Sequence, residues 1–215
     1  DREFLHKYMT LTRCDLLFAD KAILIEGTTE RLLLPKMIEK LDSTSPKEQH
    51  LSSQYISVVE VGGAYAHLFF GLLTFLELRS LIVTDLDAVK DNGQGHLVAC
   101  KVSEGTQTSN ACIRKWFEGS DVTPSVLIQK PEAERIHGSH RIAYQVPEVN
   151  DSACGRSFED AFILANPTLF ELSEIETEKE EAAWEKAGKV TKKSDFALEY
   201  AITKTEWAVP RYIAE

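Results

Sequence analysis

Short apolar runs that end in acidic residues punctuate the first ninety positions of the chain. Ala22, Ile23, Leu24 and Ile25 form an unbroken apolar run that stops at Glu26-Gly27. A run this short, with no polar alternation, suits a strand buried on both faces, as in a parallel sheet under helices. Thr28 is placed to cap a helix that carries Glu30 in its first turn. From 31 to 41 the residues Leu33, Leu34, Met37, Ile38 and Leu41 recur on one helical face, with Pro35 expected to kink that helix or move its start. The polar stretch 42–53 reads as a loop. Residues 55–61 read as a second strand closed by Gly62-Gly63, 64–78 form an apolar helix, and 80–84 form a third strand that runs into Asp85 and Asp87. The order β-α-β-α-β implies a parallel sheet with right-handed crossovers. Gly62-Gly63 reads as a turn into a helix or as a place where a phosphate backbone approaches closely.

Beyond residue 88 the pattern loosens. Residues 91–95 form a loop beside the Asp pair, 110–118 a helix with Ile113, Trp116 and Phe117, and 126–128 and 142–146 two strands. Between those strands Lys130, Arg135, His137, His140 and Arg141 make a basic stretch, read first as a solvated loop and second as a DNA contact. His137 and His140 flank Gly138-Ser139 and are expected to be exposed rather than to bind metal. Ser157 is a good cap for a helix with Glu159 and Asp160 in its first turn. Residues 171–195 change from Glu-rich to Lys-rich around Trp184, as a solvated helical segment would, and 196–208 is helix-like and carries Lys204.

Composition narrows the class. The 215 residues, 43% hydrophobic, suffice for one substantial domain with a small appendage. No apolar run approaches the roughly 20 residues of a membrane span and no secretory signal opens the chain, so a cytoplasmic location without membrane contact is expected. Cysteines at 14, 100, 112 and 154 show no zinc spacing and read as reduced thiols. The net charge of −10 argues against nucleic-acid binding by bulk electrostatics, although acids that hold divalent cations create a local positive site.

The chemistry sits at the strand ends. Asp85 and Asp87 lie two residues apart, so in an extended segment both would face one way, and two such carboxylates repel unless a cation or proton lies between them. Oxygen-only ligands suit magnesium, manganese or calcium. Glu-Gly after a first strand and Asp-x-Asp after a later one resembles the Toprim domain shared by topoisomerases, bacterial primases, RecR-like repair proteins and OLD-family (overcoming lysogenization defect) nucleases. The phrase from Phe18 through Glu26-Gly27-Thr28-Thr29-Glu30 to Pro35, with a second glutamate four residues after the first, resembles the OLD branch.

That resemblance implies an α/β fold, a Toprim-type parallel sheet flanked by helices with a small helical subdomain. The expected divisions are a linker helix over 1–20, a catalytic domain over 21–160, a helical subdomain over 161–199 and a final Toprim helix over 200–215. It also implies a metal-dependent DNA endonuclease that nicks and cleaves through two divalent cations, Mg²⁺ or Mn²⁺, with Ca²⁺ able to stand in for them. Two-metal hydrolysis places the ions about 3.5–4 Å apart, one activating water and one stabilising the leaving oxygen. Glu26, Asp85 and Asp87 are expected to hold one ion, and Glu30 and Glu159, with the Ser157 hydroxyl, the other. Glu159 is preferred to Asp160 because it matches a Ser-x-Glu element. Lys204 is the expected transition-state cation, with Lys192 and Lys193 as rivals. The implied partners are DNA and an N-terminal ATPase domain outside this chain, which contains no Gly-x-x-x-x-Gly-Lys-Ser/Thr loop. Any homo-oligomer is expected to form through that missing region. The competing readings are a topoisomerase or primase Toprim module, a catalytically silent DNA-binding or interaction module, and a receiver-like or phosphatase domain, which would leave Glu26-Gly27 unexplained.

Overall fold

A computed structural model describes residues 15–215, except for the Thr177 side chain. Most of the helix expected over 1–20, and Cys14 with it, lies outside the described residues. Of that helix, Asp15–Leu17 forms a short 3₁₀ turn.

The first strand, interior to the sheet, is β1 (Lys21–Ile25), with every residue after Lys21 buried. It pairs in parallel with β2 (Ile56–Glu60) on one side and β3 (Arg79–Val83) on the other. A fourth parallel strand, formed by His140–Ala143, lies beside β3, and the two-residue strand Ile136–His137 closes the edge as an antiparallel hairpin partner. The period of two divides the strand side chains between layers. Ala22 and Leu24 join Val59, Ile82 and Ile142 in one core, while Ile23 and Ile25 join Val83, Ala143, Leu34 and Tyr212 in the other. A strand buried on both faces needs apolar residues at every position, and the unbroken run 22–25 supplies them.

Helix α1 (Thr28–Thr44) follows β1 directly, with Gly27 rather than Thr28 at its N-cap position. Pro35 lies inside this helix without ending it. Its ring removes one backbone bond, but Leu33, Leu34 and Met37 around it are buried in two cores that hold the helix in place. The expected loop 42–53 is largely turns. The Asp42 carboxylate accepts from the amides of Leu51 (2.7 Å) and Ser52 (3.0 Å), which secures the 3₁₀ turns Lys47–Gln49 and Leu51–Ser53 to the end of α1. The expected helix over 64–78 begins as a 3₁₀ turn, Ala66–Phe69, before α2 (Phe70–Phe75).

After β3 the chain leaves the main sheet for a small antiparallel one, built from β4 (Ala88–Asp91), β5 (Leu97–Ala99) and β6 (Gln107–Thr108). Helix α3 (Ala111–Trp116) follows, capped by Asn110, whose side chain accepts from the Ile113 amide at 3.0 Å. The strand expected at 126–128 is instead a helix, α4 (Pro124–Leu127). Pro124 at its first position and buried Leu127 explain the difference, because three apolar residues alone do not separate the two states. Then come β7 (Ile136–His137) and β8 (His140–Ala143), and the expected strand over 142–146 leaves the sheet after Ala143. His140 is buried rather than exposed: its ring lies 2.7 Å from Ser80 Oγ and 3.0 Å from Thr74 Oγ1.

The remaining helices are α5 (Phe158–Ala165), α6 (Glu176–Gly188), α7 (Lys193–Leu198) and α8 (Arg211–Ala214). Phe158, Phe162, Ala197, Tyr200 and Trp207 form a third core with Leu33 and Met37 of α1. This core seats α5 and α7 over the start of α1, and so brings the late part of the chain to the end of β1. Among the described residues, no helix is long and apolar enough to cross a membrane.

Candidate functional site

Parallel strands direct their C-terminal ends to one side of the sheet, and the acids singled out above gather there. Glu26 follows β1. Its Oε1 accepts a short hydrogen bond from the Thr84 hydroxyl and further bonds from Asn110 Nδ2 (2.9 Å) and the Asp85 amide (3.1 Å). Its main chain is held as well, because the amides of Gly62 (3.1 Å) and Gly63 (3.0 Å) both donate to the Glu26 carbonyl. Both glycines have positive φ, 73° and 94°, which side-chain-bearing residues rarely adopt, so this turn needs them. Their amides are committed to Glu26 and leave the turn reading of the pair standing.

Asp85 follows β3 and is half-buried, with Oδ1 accepting from Gln145 Nε2 at 2.6 Å. Gln145 leaves β8 for this purpose: its Oε1 accepts from the Leu86 amide (2.6 Å), and its amide nitrogen also donates to the Tyr212 hydroxyl (3.3 Å). Burial first, then repulsion from Glu26, Glu30, Asp87 and Glu159, pushes the Asp85 carboxyl well above the usual carboxylate range. Glu30, one turn into α1, is pushed up to about 7 by burial and then by Glu159 and Glu26. Glu26 is raised chiefly by its burial, against the hydrogen bonds it accepts. Glu26, Glu30, Asp87 and Glu159 therefore all lie close enough to Asp85 to raise its carboxyl.

Asp87 departs from the expected extended geometry. Its φ is +49°, so the alternation that would align it with Asp85 is broken. Its amide donates to the Arg156 carbonyl (3.1 Å) and its Oδ1 pairs with Arg156 Nη2 at 2.7 Å. Burial raises its carboxyl, with Arg156 opposing.

Glu159, on the first turn of α5, reaches the start of α1. Its Oε1 accepts from the Thr29 hydroxyl (2.9 Å) and its Oε2 lies 3.2 Å from Lys193 Nζ. Ser157 sits at the α5 N-cap position, but its hydroxyl makes no cap bond. It donates instead to Asp160 Oδ1 (2.5 Å) and Glu159 Oε2 (3.3 Å). Asp160 also accepts from the Arg156 amide (3.1 Å), which makes it a brace for the turn that carries Arg156 and Ser157. Helix α5 comes this close because of Gly155, where an added Cβ would lie 2.5 Å from the Ala161 amide nitrogen.

Lys204 is not brought to the cluster. It lies just past the π-helical turn Glu199–Thr203, where its ammonium pairs with Glu199 at 2.7 Å and lies over the Tyr200 ring. Lys193, at the start of α7, is the lysine that reaches the cluster, through Glu159. Burial lowers the Lys193 ammonium, but Glu159, then Asp85 and Glu30, outweigh that and hold it above its ordinary value. Sequence spacing alone could not choose between these lysines, because the choice depends on where α7 packs against α1. Asn110, Gln145, Arg156 and Tyr212 were not singled out from the sequence. Only Asn110 left a signal there, as a good cap residue at the start of the helix expected over 110–118.

In kind, this donor set fits a hard divalent cation: oxygen ligands only, crowded by burial and mutual repulsion. Among the described residues, however, no group of three or more His, Cys, Asp or Glu is gathered closely enough to hold a metal ion.

The family described as "Overcoming lysogenization defect protein-like, TOPRIM domain" matches residues 17–87, the span from the approach to β1 through the Asp85-x-Asp87 pair. Residues 17–87 carry an OLD-like Toprim match. Over 168 residues it is 30% identical to Endonuclease GajA of Bacillus cereus (strain HuB5-5), a match covering 77% of this chain and 22% of that protein. The chain therefore spans about a fifth of the length of that curated relative. Among solved structures, the C-terminal region of the Burkholderia pseudomallei OLD protein superposes with a TM-score of 0.54 at 21% identity, covering 91% of this chain and 94% of that one. The corresponding region of the Xanthomonas campestris pv. campestris OLD protein gives 0.49 at 17% identity, with coverages of 93% and 90%. The OLD-like Toprim assignment agrees with the fold, a mostly parallel sheet flanked by helices, with Glu26 and Asp85 just beyond the tips of adjacent strands.

Proposed function

We propose that this chain is the nuclease region of an OLD-type protein and hydrolyses phosphodiester bonds in DNA with divalent cations. The observation that carries this reading is the placement of Glu26 and Asp85 just beyond adjacent parallel strand ends and bonded to each other, with Glu30, Asp87 and Glu159 in the field of Asp85 and Lys193 on Glu159. The 30% identity to a protein named as an endonuclease, over 168 residues, supports it. Glu26, Asp85 and Asp87, with Glu30 and Glu159, would hold the cations. Bound there, Mg²⁺ or Mn²⁺ would supply Lewis acidity and a water of lowered pKa. The chain's own residues prepare the site. Asn110 and Thr84 orient Glu26, Gln145 orients Asp85, and Arg156 holds Asp87 by both its main chain and its guanidinium. Lys193 places fixed positive charge beside Glu159, where a phosphoryl group gaining charge would be stabilised. An ATPase domain elsewhere in the full polypeptide, and any assembly through it, belong to the same reading.

Supercoiled-plasmid cleavage with Mg²⁺, Mn²⁺, Ca²⁺ or EDTA tests it. Metal-dependent nicking and linearisation are expected, lost in Glu26→Ala, Asp85→Ala and Lys193→Ala and kept in Lys204→Ala. A Lys204→Ala protein as dead as Lys193→Ala would reject the assignment of the lysine. A closed-circular ladder would replace nuclease by topoisomerase.

A further inference from the structure

A second charged feature lies away from the acid cluster. A cleft of about 730 Å³ opens between the segment after α4, strand β8, the 146–152 loop and α8. Four cations line it, Lys130, Arg135, Arg141 and Arg211, against three acids, Glu132, Asp151 and Glu215. In a chain of net charge −10 such a gathering is unusual, and it includes most of the basic stretch seen in the sequence.

Arg135 is the decisive group. It is only 8% exposed, its Nε has no hydrogen-bond partner, and among the described residues no carboxylate lies within ion-pair distance of it. Its guanidinium lies over the Tyr144 ring, 4.8 Å from the centroid, and the Tyr144 hydroxyl is itself spent on the Leu127 carbonyl (2.9 Å). A buried cation normally has a carboxylate beside it, because desolvating a charge without a partner is costly. The aromatic face recovers part of that cost and leaves the positive charge uncancelled.

The neighbouring cations do have partners, but ones that can be displaced. Arg141 Nη1 pairs with Glu132 at 3.0 Å and also donates to the Glu215 carbonyl (2.8 Å). Lys130 pairs with Glu134 at 2.6 Å, and Arg211 with Glu215 at 2.6 Å. The carboxylate side chains of Glu132, Glu134 and Glu215 are 66%, 51% and 42% exposed, and such pairs contribute little and yield to a better anion. The cleft also adjoins the acid cluster along the chain: Val146 in its wall follows Gln145, and Arg211 precedes Tyr212, the two residues that reach Asp85 or lie in its field.

We propose that this cleft binds a phosphate of the nucleic-acid backbone, gripping the substrate at a distance from the bond that is cut. Arg135 supplies the unpaired charge, and Arg141 and Lys130 turn from their carboxylates to the phosphate oxygens. The proposal rests on the nuclease reading for its substrate, but its test does not need cleavage.

Binding of a short fluorescein-labelled DNA duplex to the 215-residue chain is followed by anisotropy in EDTA across a salt series. Arg135→Gln and Arg141→Gln are each expected to weaken binding roughly tenfold and to lower the salt slope by about one. Glu132→Gln, which frees Arg141 at an exposed position, is expected to tighten binding. Unchanged affinity and slope in a folded Arg141→Gln protein, with no tightening in Glu132→Gln, would overturn the proposal even if Arg135 variants fail to fold. Inorganic phosphate, tested by thermal shift, separates the source of the anion. A phosphate response lost in the variants while DNA binding stays unchanged would overturn the nucleic-acid assignment. Plasmid cleavage run in parallel keeps the two readings distinct, since a chain that binds through the cleft but cuts nothing refutes the nuclease and leaves the cleft standing.

Discussion

Asn110 uses every part of its amide. Its oxygen caps α3, and its nitrogen lies 2.8–2.9 Å from Glu26 Oε1, Thr84 Oγ1 and the Asp85 carbonyl. Residues that orient metal-binding acids typically change activity about 10–100-fold when replaced, and that loss in cleavage is expected for both Asn110→Ala and Asn110→Asp. The two variants separate the roles. Asp keeps the cap acceptor but turns a carboxylate towards Glu26, whereas Ala also forfeits about 1 kcal/mol of capping. Wild-type cleavage in Asn110→Asp would show that the donors do not matter. His140 offers a second test at this scale. Thr74 Oγ1 already donates to the Phe70 carbonyl, so it accepts from His140 Nε2–H, and Nδ1 accepts from Ser80. Burial, with His137 second, holds the His140 pKa below its ordinary value. The unfolded chain therefore takes up the proton first, so stability is full above about pH 6.5 and falls as the pH drops below that value. Tm measured from pH 7 to pH 5 should decline more steeply for the wild type than for His140→Gln. Parallel slopes would remove His140 from the account. Glu26, Asp85 and Asp87 were legible in the sequence because they follow apolar runs, whereas Glu30 and Glu159 rested on helix starts and the family resemblance. Their holders were not, since Gln145 and Arg156 carry no local signature and act only across the fold.

At the scale of elements, α5 delivers Glu159 only because Gly155 lets the preceding turn lie against the helix. A methyl group there would meet the Ala161 nitrogen at 2.5 Å and its Cα at 2.8 Å, backbone atoms that cannot turn aside. Gly155→Ala should cost about 1–3 kcal/mol, read as a drop in Tm, and reduce cleavage by moving Glu159 from Thr29 and Lys193. A stable Gly155→Ala protein with full activity would show that this packing is not what positions the acid. The strands were readable because burial on both faces leaves an apolar run with nothing polar in it. Helix α4 was misread as a strand because Val126, Leu127 and Ile128 suit either state, and Pro124 two residues earlier is the better guide. The choice of lysine turned on a break in the last helices, where α7 passes into a π-helical turn and Lys204 falls beyond it. A continuous helix over 196–208, as the pattern suggested, conceals that break.

Across the whole molecule, the acid cluster sets negative charge inside a chain that is already at −10, so bound cations should stabilise the fold. A divalent cation at a hundredfold excess over its Kd stabilises by about 2.7 kcal/mol, or roughly 5–10 °C in Tm for a chain of this size. Mg²⁺ or Mn²⁺ should produce a rise of that order, and the double variant Asp85→Ala/Asp87→Ala should lack most of it. An equal rise in the double variant would place the cations elsewhere. The cluster also draws on both ends of the described chain. Thr29 and Glu159 are 130 positions apart, yet they share a hydrogen bond. Contacts of such long sequence separation form slowly and late, after large loops have closed. During synthesis, Glu26 and Asp85 emerge well before Glu159, Lys193 and Tyr212 exist to complete their surroundings. A nascent chain therefore carries the first strands of the site without the site, and the proposed capacity to cut nucleic acid would arrive only with the last fold contacts.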